Sequence, residues 1–256
     1  MNNIQNNLMS AGFAGLPFGG VNDCSPMSIA VLGVPTEPIS VTRRGSSRAP
    51  DILRDQSQKM SISIPTDGVD LGNLILSSDW NSHLETLILK MHKKRVIPVI
   101  FGGASDVAST TFKSIPDLPV VAIAPTLRSD LLNRTDNTIF LGLNGDQPAE
   151  YWDQMMQRSM LWRSAKQLDS GDKNLSDLPR NAVLWIDISV IDLGHAAGSL
   201  GLNPGGIKPE SLISSLSDLK CIWEAIVVTG LAPSYDTRGL SELTVIETLS
   251  EVFRNE

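Results

Sequence analysis

Short apolar runs alternate with amphipathic stretches along most of this chain, the pattern of a mainly parallel sheet covered by helices. Ser28-Ile-Ala-Val-Leu-Gly33 is apolar on both faces and ends in glycine, valine and proline, as a buried strand does. Val96–Phe101, Pro119–Ala124, Thr138–Leu143, Val183–Asp187 and Cys221–Val228 repeat that signature. Between them lie helical spacings. Leu84, Leu87, Ile88 and Met91 fall on one helical face, and Ser82-His-Leu-Glu85 before them reads as a capping box. Lys93, Lys94 and Arg95 suit the negative end of that helix's dipole. Glu150–Gln157 reads as helical, Pro209-Glu210 opens another helix, and Leu243, Ile246 and Leu249 line a closing one. Asn-rich residues 1–12 are expected to be a loose tail, Asp169–Arg180 a surface loop, and residues 13–256 one domain.

Composition narrows the function classes. The chain has 256 residues and a formal net charge of −7, so it offers no cationic excess for displacing counterions from nucleic acid. Arg43, Arg44 and Arg48 form the nearest basic cluster, and acidic residues soon follow. Two cysteines, Cys24 and Cys221, are too few for a disulfide framework or a cysteine metal site, and fit a reducing compartment. Met1–Ser10 carries no Lys or Arg, so a secretory n-region is not expected, and no apolar run approaches the roughly 20 residues that span a bilayer. A cytoplasmic protein without membrane or nucleic-acid partners is the expectation.

In open α/β sheets ligands gather at the carboxyl ends of the strands. Those ends carry Gly102-Gly-Ala-Ser-Asp106, Ala124-Pro-Thr-Leu-Arg128 and Asp187-Ile-Ser-Val-Ile-Asp192. Gly33-Val-Pro-Thr-Glu-Pro38, then Arg44-Gly45 and Ala49-Pro-Asp-Ile-Leu-Arg54, resembles the opening of the ureohydrolases, the arginase, agmatinase and formiminoglutamase family. Ile97–Gly103 is similar to that family's P-V-x-L-G-G strand, Asp187–Asp192 to D-I-D-V-L-D, Gly205-Gly-Ile207 to P-G-G-L, and Gly230-Leu-Ala-Pro233 with Asp236 to E-V-N-P-x-x-D. Gly12-Phe-Ala-Gly-Leu-Pro17 is nearest the agmatinase branch. The resemblance covers most of the chain in the right order. It implies an arginase-like three-layer α/β fold and an oligomeric protein.

The departures fall on the metal chemistry. The family's manganese pair is held by G-G-D-H, D-A-H-x-D and D-x-D and activates a bridging water. Position by position, the histidine of the first motif becomes Ser105, preceded by Ala104. The second motif's ligands become Ala124, Thr126 and Arg128, and in the third Asp187 remains while its partner is Ser189. The family's substrate-contacting glutamate corresponds to Gly230, and ten residues, Ser129–Thr138, replace the loop that carries a histidine near the substrate. The resemblance therefore implies degenerate metal motifs, no metal, no cofactor and no catalytic residue.

Arg128 is the most informative of these changes, because a guanidinium stays protonated and repels a dication. It is expected to replace the metal charge and pair with Asp187, and with Asp106. Asp106, Arg128, Asp187 and His195 make up the possible residual pocket. His83 and His92 read as solvated helix residues, and His195 has no second imidazole at ligand spacing. Ser105 beside Asp106 lacks a histidine to complete a relay, and Gly102-Gly103 is not followed by a phosphate-loop sequence. The five tryptophans are scattered and read as core or interface residues.

The leading expectation is a catalytically inactive ureohydrolase homologue acting as a structural or regulatory subunit. It would form a homo-oligomer, or a hetero-oligomer with an active relative, and could hold a small guanidino or amine ligand. The alternative is a divergent hydrolase of amidine- or guanidine-type C–N bonds with a rebuilt or metal-independent site. A small-molecule sensor is the third reading.

Overall fold

The computed structural model describes residues 4–5, 11–38, 43–60, 67–134, 138–172, 175 and 178–254. The first strand, β1 (Ile4–Gln5), lies within the segment expected to be a loose tail and pairs antiparallel with Asn73 and Leu74; most of the rest of that segment lies outside the described residues. The chain then runs β2 (Ile29–Val34), α1 (Ala49–Lys59), β3 (Gly68–Leu74), α2 (Trp80–Lys93), β4 (Ile97–Gly102), α3 (Asp106–Ser114) and β5 (Val120–Ile123). After these come α4 (Ser129–Leu132), β6 (Thr138–Leu143), α5 (Ala149–Gln157), β7 (Trp162–Ser164) and α6 (Ala165–Asp169). The chain closes with β8 (Asn181–Asp187), α7 (Pro209–Ser217), β9 (Ile222–Thr229) and α8 (Leu240–Arg254).

These strands form one sheet in the order β1-β3-β2-β4-β9-β8-β5-β6-β7, parallel everywhere except at β1. Helices cover both faces, so β2, β4, β5 and β6 are buried along their whole length and read as unbroken apolar runs. Alternate residues feed opposite layers. Ile29 and Val31 pack with Leu53 of α1, Leu212 of α7 and Ile246 of α8, whereas Ala30 and Leu32 pack with Leu84 of α2 and Phe112 of α3. This is the expected three-layer α/β architecture with its mainly parallel sheet.

Two local expectations need correction. Ser82 does not cap α2: the helix begins at Trp80, the amide of Trp80 donates to the Ser77 carbonyl (3.2 Å), and Ser82's own carbonyl accepts the Thr86 hydroxyl (2.8 Å). Packing of Trp80 and Leu84 against the core draws the earlier turn into the helix. Strand β3, Gly-Val-Asp-Leu-Gly-Asn-Leu, is missing from the sequence reading because it carries two glycines and two polar residues that disfavour strands. Its Asp70 is fully buried, and the Arg54 guanidinium of α1 neutralises it through two bonds (Nε to Oδ2 2.8 Å, NH2 to Oδ1 2.9 Å). The Phe13 amide donates to the same carboxylate (2.7 Å), which ties the segment before β2 to the sheet.

Candidate functional site

The strands β2, β4, β5, β6, β8 and β9 release their carboxyl ends around a cleft of about 490 Å³. Position follows from topology, since this is where an open parallel sheet admits a ligand. Gly103 allows the exit from β4: a side chain there would run into the Thr36 carbonyl after β2, at 1.9 Å. Ser105, Thr126, Asp187 and Ser189, all at positions matched to metal ligands, line the cleft with Asn144, Asp146, Asn203, Leu200 and Leu202. Ala124 does not; it is buried in the layer under α2–α5.

Arg128 does not pair with Asp187, contrary to the expectation. Its Nε and NH2 donate to the two oxygens of Asp130 (3.0 and 2.8 Å), NH2 also reaches the Ser109 hydroxyl, and NH1 contacts the Ser105 carbonyl at 3.4 Å. The guanidinium lies over the Trp185 ring, 5.0 Å from its centre. The reason is local: Asp130, two residues on in the first turn of α4, offers a bidentate partner without any movement of the sheet. Burial alone would raise the Asp130 carboxyl, but the Arg128 fork and the Ser109 hydroxyl outweigh it and hold the carboxyl below its ordinary range.

Asp187 turns inward instead. Its Oδ1 accepts the Ser189 amide (2.9 Å), capping the 3-10 turn Ile188–Val190, and the Ser189 hydroxyl in turn accepts the Gly201 amide (2.9 Å). Gly230, with φ +82°, makes room for this: a Cβ there would sit 2.2 Å from Asp187 Oδ1. The carboxylate thus lies against the Gly230 backbone, at the position the resemblance matches to the family's glutamate. Burial pushes the Asp187 carboxyl above the usual range, while the donors from Ser189 and the more distant charge of Arg128 pull it back in part. Among the described residues no cation reaches ion-pair distance of it.

Asp106 opens α3, accepts the Val107 amide (2.9 Å), and is likewise raised by burial. It lines a neighbouring hollow of about 360 Å³ with Trp80 and Glu37, not the main cleft; Ser105 borders both. His195 is exposed, 3.7 Å from Asp192, and outside the cleft walls. Of Asp106, Arg128, Asp187 and His195, therefore, only Asp187 faces the cleft. Sequence reasoning missed Asp130 and Ser109, the partners of Arg128, and Asn144 and Asn203, whose side chains bond to each other at 2.7 Å. Spacing alone could have indicated Asp130; the others are brought in by the fold.

A divalent metal pair does not fit these residues. Hard dications require several carboxylate, imidazole or similar donors. The matched positions supply one carboxylate, hydroxyls, a buried methyl and a fixed guanidinium. Among the described residues no three His, Cys, Asp or Glu side chains gather as a metal site.

No family sequence model matches the chain, and no curated protein matches its sequence. Solved structures do match. The agmatine ureohydrolase of Thermoplasma volcanium aligns with TM-score 0.81 at 17% identity, covering 97% of this chain and 95% of that one. For the proclavaminate amidino hydrolase from Streptomyces clavuligerus the values are 0.79, 16%, 100% and 98%. The arginase from Bacillus subtilis gives 0.74 at 17% identity, over 90% of this chain and 99% of its own. At such identities the likeness speaks for architecture rather than activity. The chain has the ureohydrolase fold.

Proposed function

We propose that this chain is a catalytically silent ureohydrolase-fold protein that acts by binding, as a regulatory or structural subunit, in a homo-oligomer or beside an active relative. The observation that carries the reading is Arg128, a guanidinium at a position matched to a metal ligand, held in place by Asp130 and Ser109. Its permanent charge opposes a dication in the same volume. The loss of the glutamate at Gly230 and the inward turn of Asp187 support the same reading.

The cleft is open rather than filled, so a small-molecule role fits better than a purely structural one. No described helix is long and apolar enough to cross a membrane. Both cysteines are free and buried, in keeping with a reducing cytoplasmic setting.

A second reading, a metal-independent hydrolase of amidine-type bonds, draws support from the raised carboxyl of Asp187 in an open cleft. The Ser189 hydroxyl beside Asp187 already accepts the Gly201 amide, and no imidazole among the described residues lining the cleft completes a relay. The test is metal analysis of the purified protein together with turnover of agmatine, arginine and guanidinobutyrate. Absence of stoichiometric manganese or nickel and of urea release is expected. Urea release with bound metal overturns the silent reading, and urea release without metal selects the second. Light scattering on the eluting protein reads the oligomer.

A further inference from the structure

We infer that the cleft selects a small primary ammonium on an apolar stem and discriminates against a guanidinium; the inference rests on the binding role proposed above. The sign of the ligand's charge follows from the walls. Asp187 and Asp146 line the cleft, and among the described residues no Lys, Arg or His does. Arg128, the guanidinium whose charge reaches Asp187, is already matched by Asp130 at 2.8 Å. A recessed carboxylate without a cation is costly, and a cationic ligand relieves that cost.

Shape decides which cation. A guanidinium is a planar fork that is best met by two parallel acceptors, whereas an ammonium is a point charge with three rotatable donors. Asp187 does not offer a fork. Its Oδ1 already accepts the Ser189 amide and packs against Gly230, so its two oxygens are not equally available to a ligand. No second carboxylate can stand on the β9 side of Asp187, because the residue packed against it there is Gly230.

Asp146 stands exposed at the rim, and the acceptors deeper in the wall are single and neutral. Asn144 donates through Nδ2 to Asn203 (2.7 Å) and to the Pro204 carbonyl (3.0 Å), which fixes its amide and keeps its oxygen as an acceptor. The Ser105 hydroxyl lies in the same wall. One charged and two neutral oxygens suit three N–H donors. Leu200, Leu202 and Pro125 supply an apolar side for the stem, and Leu202 is 61% exposed.

The test is calorimetric titration of the purified full chain with n-butylamine, n-butylguanidine, butyrate and 1-butanol. Butylamine is expected to bind about tenfold or more tighter than butylguanidine, the factor one charge-assisted hydrogen bond supplies, with no measurable heat from butyrate or butanol. Asp187→Asn, whose side-chain carbonyl still accepts the Ser189 amide, is expected to lose about tenfold or more in butylamine affinity. Ser105→Leu, which narrows the cleft without touching Asp187, is expected to weaken it too, with the circular dichroism spectrum of each variant reporting the fold. Equal or tighter binding of butylguanidine, no heat from any compound, or an Asp187→Asn variant that binds butylamine unchanged each overturns the inference. Urea release in the turnover assay overturns the silent reading while leaving amine selection to calorimetry.

Discussion

Two arginines set two regions of this molecule against each other. Arg54, on α1, is 1% exposed; its fork meets both oxygens of Asp70, and it also donates to Asn73 (2.6 Å) and to the Gly72 carbonyl (3.0 Å). Arg128 sits behind the cleft wall, a fifth exposed, and takes its partner from two residues along the chain. Both are charge-assisted pairs, but the first joins α1, β3 and the segment before β2, while the second closes on α4 next in the chain, with Ser105, Ser109 and the Trp185 ring as neighbours. Long-range pairing makes Arg54 part of the fold. Short-range pairing settles Arg128 beside the cleft while the sheet stays as it is.

The largest effect is expected where that contrast is broken on the Arg54 side. Arg54→Ala leaves Asp70 buried without a cation and should cost about 3–5 kcal/mol, read as the urea midpoint. Arg54→Lys should not restore it, because an ammonium cannot meet both oxygens and Asn73 at once. Gly230→Ala comes next. It combines left-handed backbone with a contact on Asp187 and should cost about 1–3 kcal/mol. Gly145→Ala also has positive φ (+70°) but meets nothing within 4 Å, so its loss should be smaller. Arg128→Ala is expected to cost about 1–2 kcal/mol, since its hydrogen bonds and its place over Trp185 are partly solvated.

The smallest effect separates carboxyls by pH. Glu242, buried in the first turn of α8, is pushed up by burial and by the nearby Asp236. Its folded pKa lies above the unfolded value of about 4.3, so its contribution to stability is present below that pH and is lost as pH rises through the folded pKa. Asp130, held low, behaves oppositely: its contribution is present above about pH 3.9 and is lost as pH falls through the folded pKa. Stability of Glu242→Gln against pH should lack the first loss and retain the second. A curve unchanged from wild type would remove Glu242 from the account.

Much of the fold was legible because burial on both faces leaves a simple mark. Thr138–Leu143 matches β6 residue for residue, and Ile97–Gly102 and Ile222–Thr229 lie within a residue of their expected runs. Short or polar elements left no such mark. β7 spans three residues at the sheet edge, and β3 hides a buried aspartate among glycines. The cleft was legible as positions and not as contacts: Ser105, Thr126, Asp187 and Ser189 lie at strand ends that line it, but the sequence could not say which carboxylate the guanidinium of Arg128 would choose.

The order of apolar runs and the residue types at the strand ends were fixed by the amino-acid sequence itself, since burial and donor chemistry depend on what each side chain is. Tertiary structure alone decided that Asp70 is tolerable inside a strand, that Arg128 turns to Asp130, and that Asp187 faces the cleft with no cation from the described residues beside it. Each of those outcomes depends on which charges come within a few ångströms of one another, and Coulomb energy in a shielded interior changes steeply over that distance.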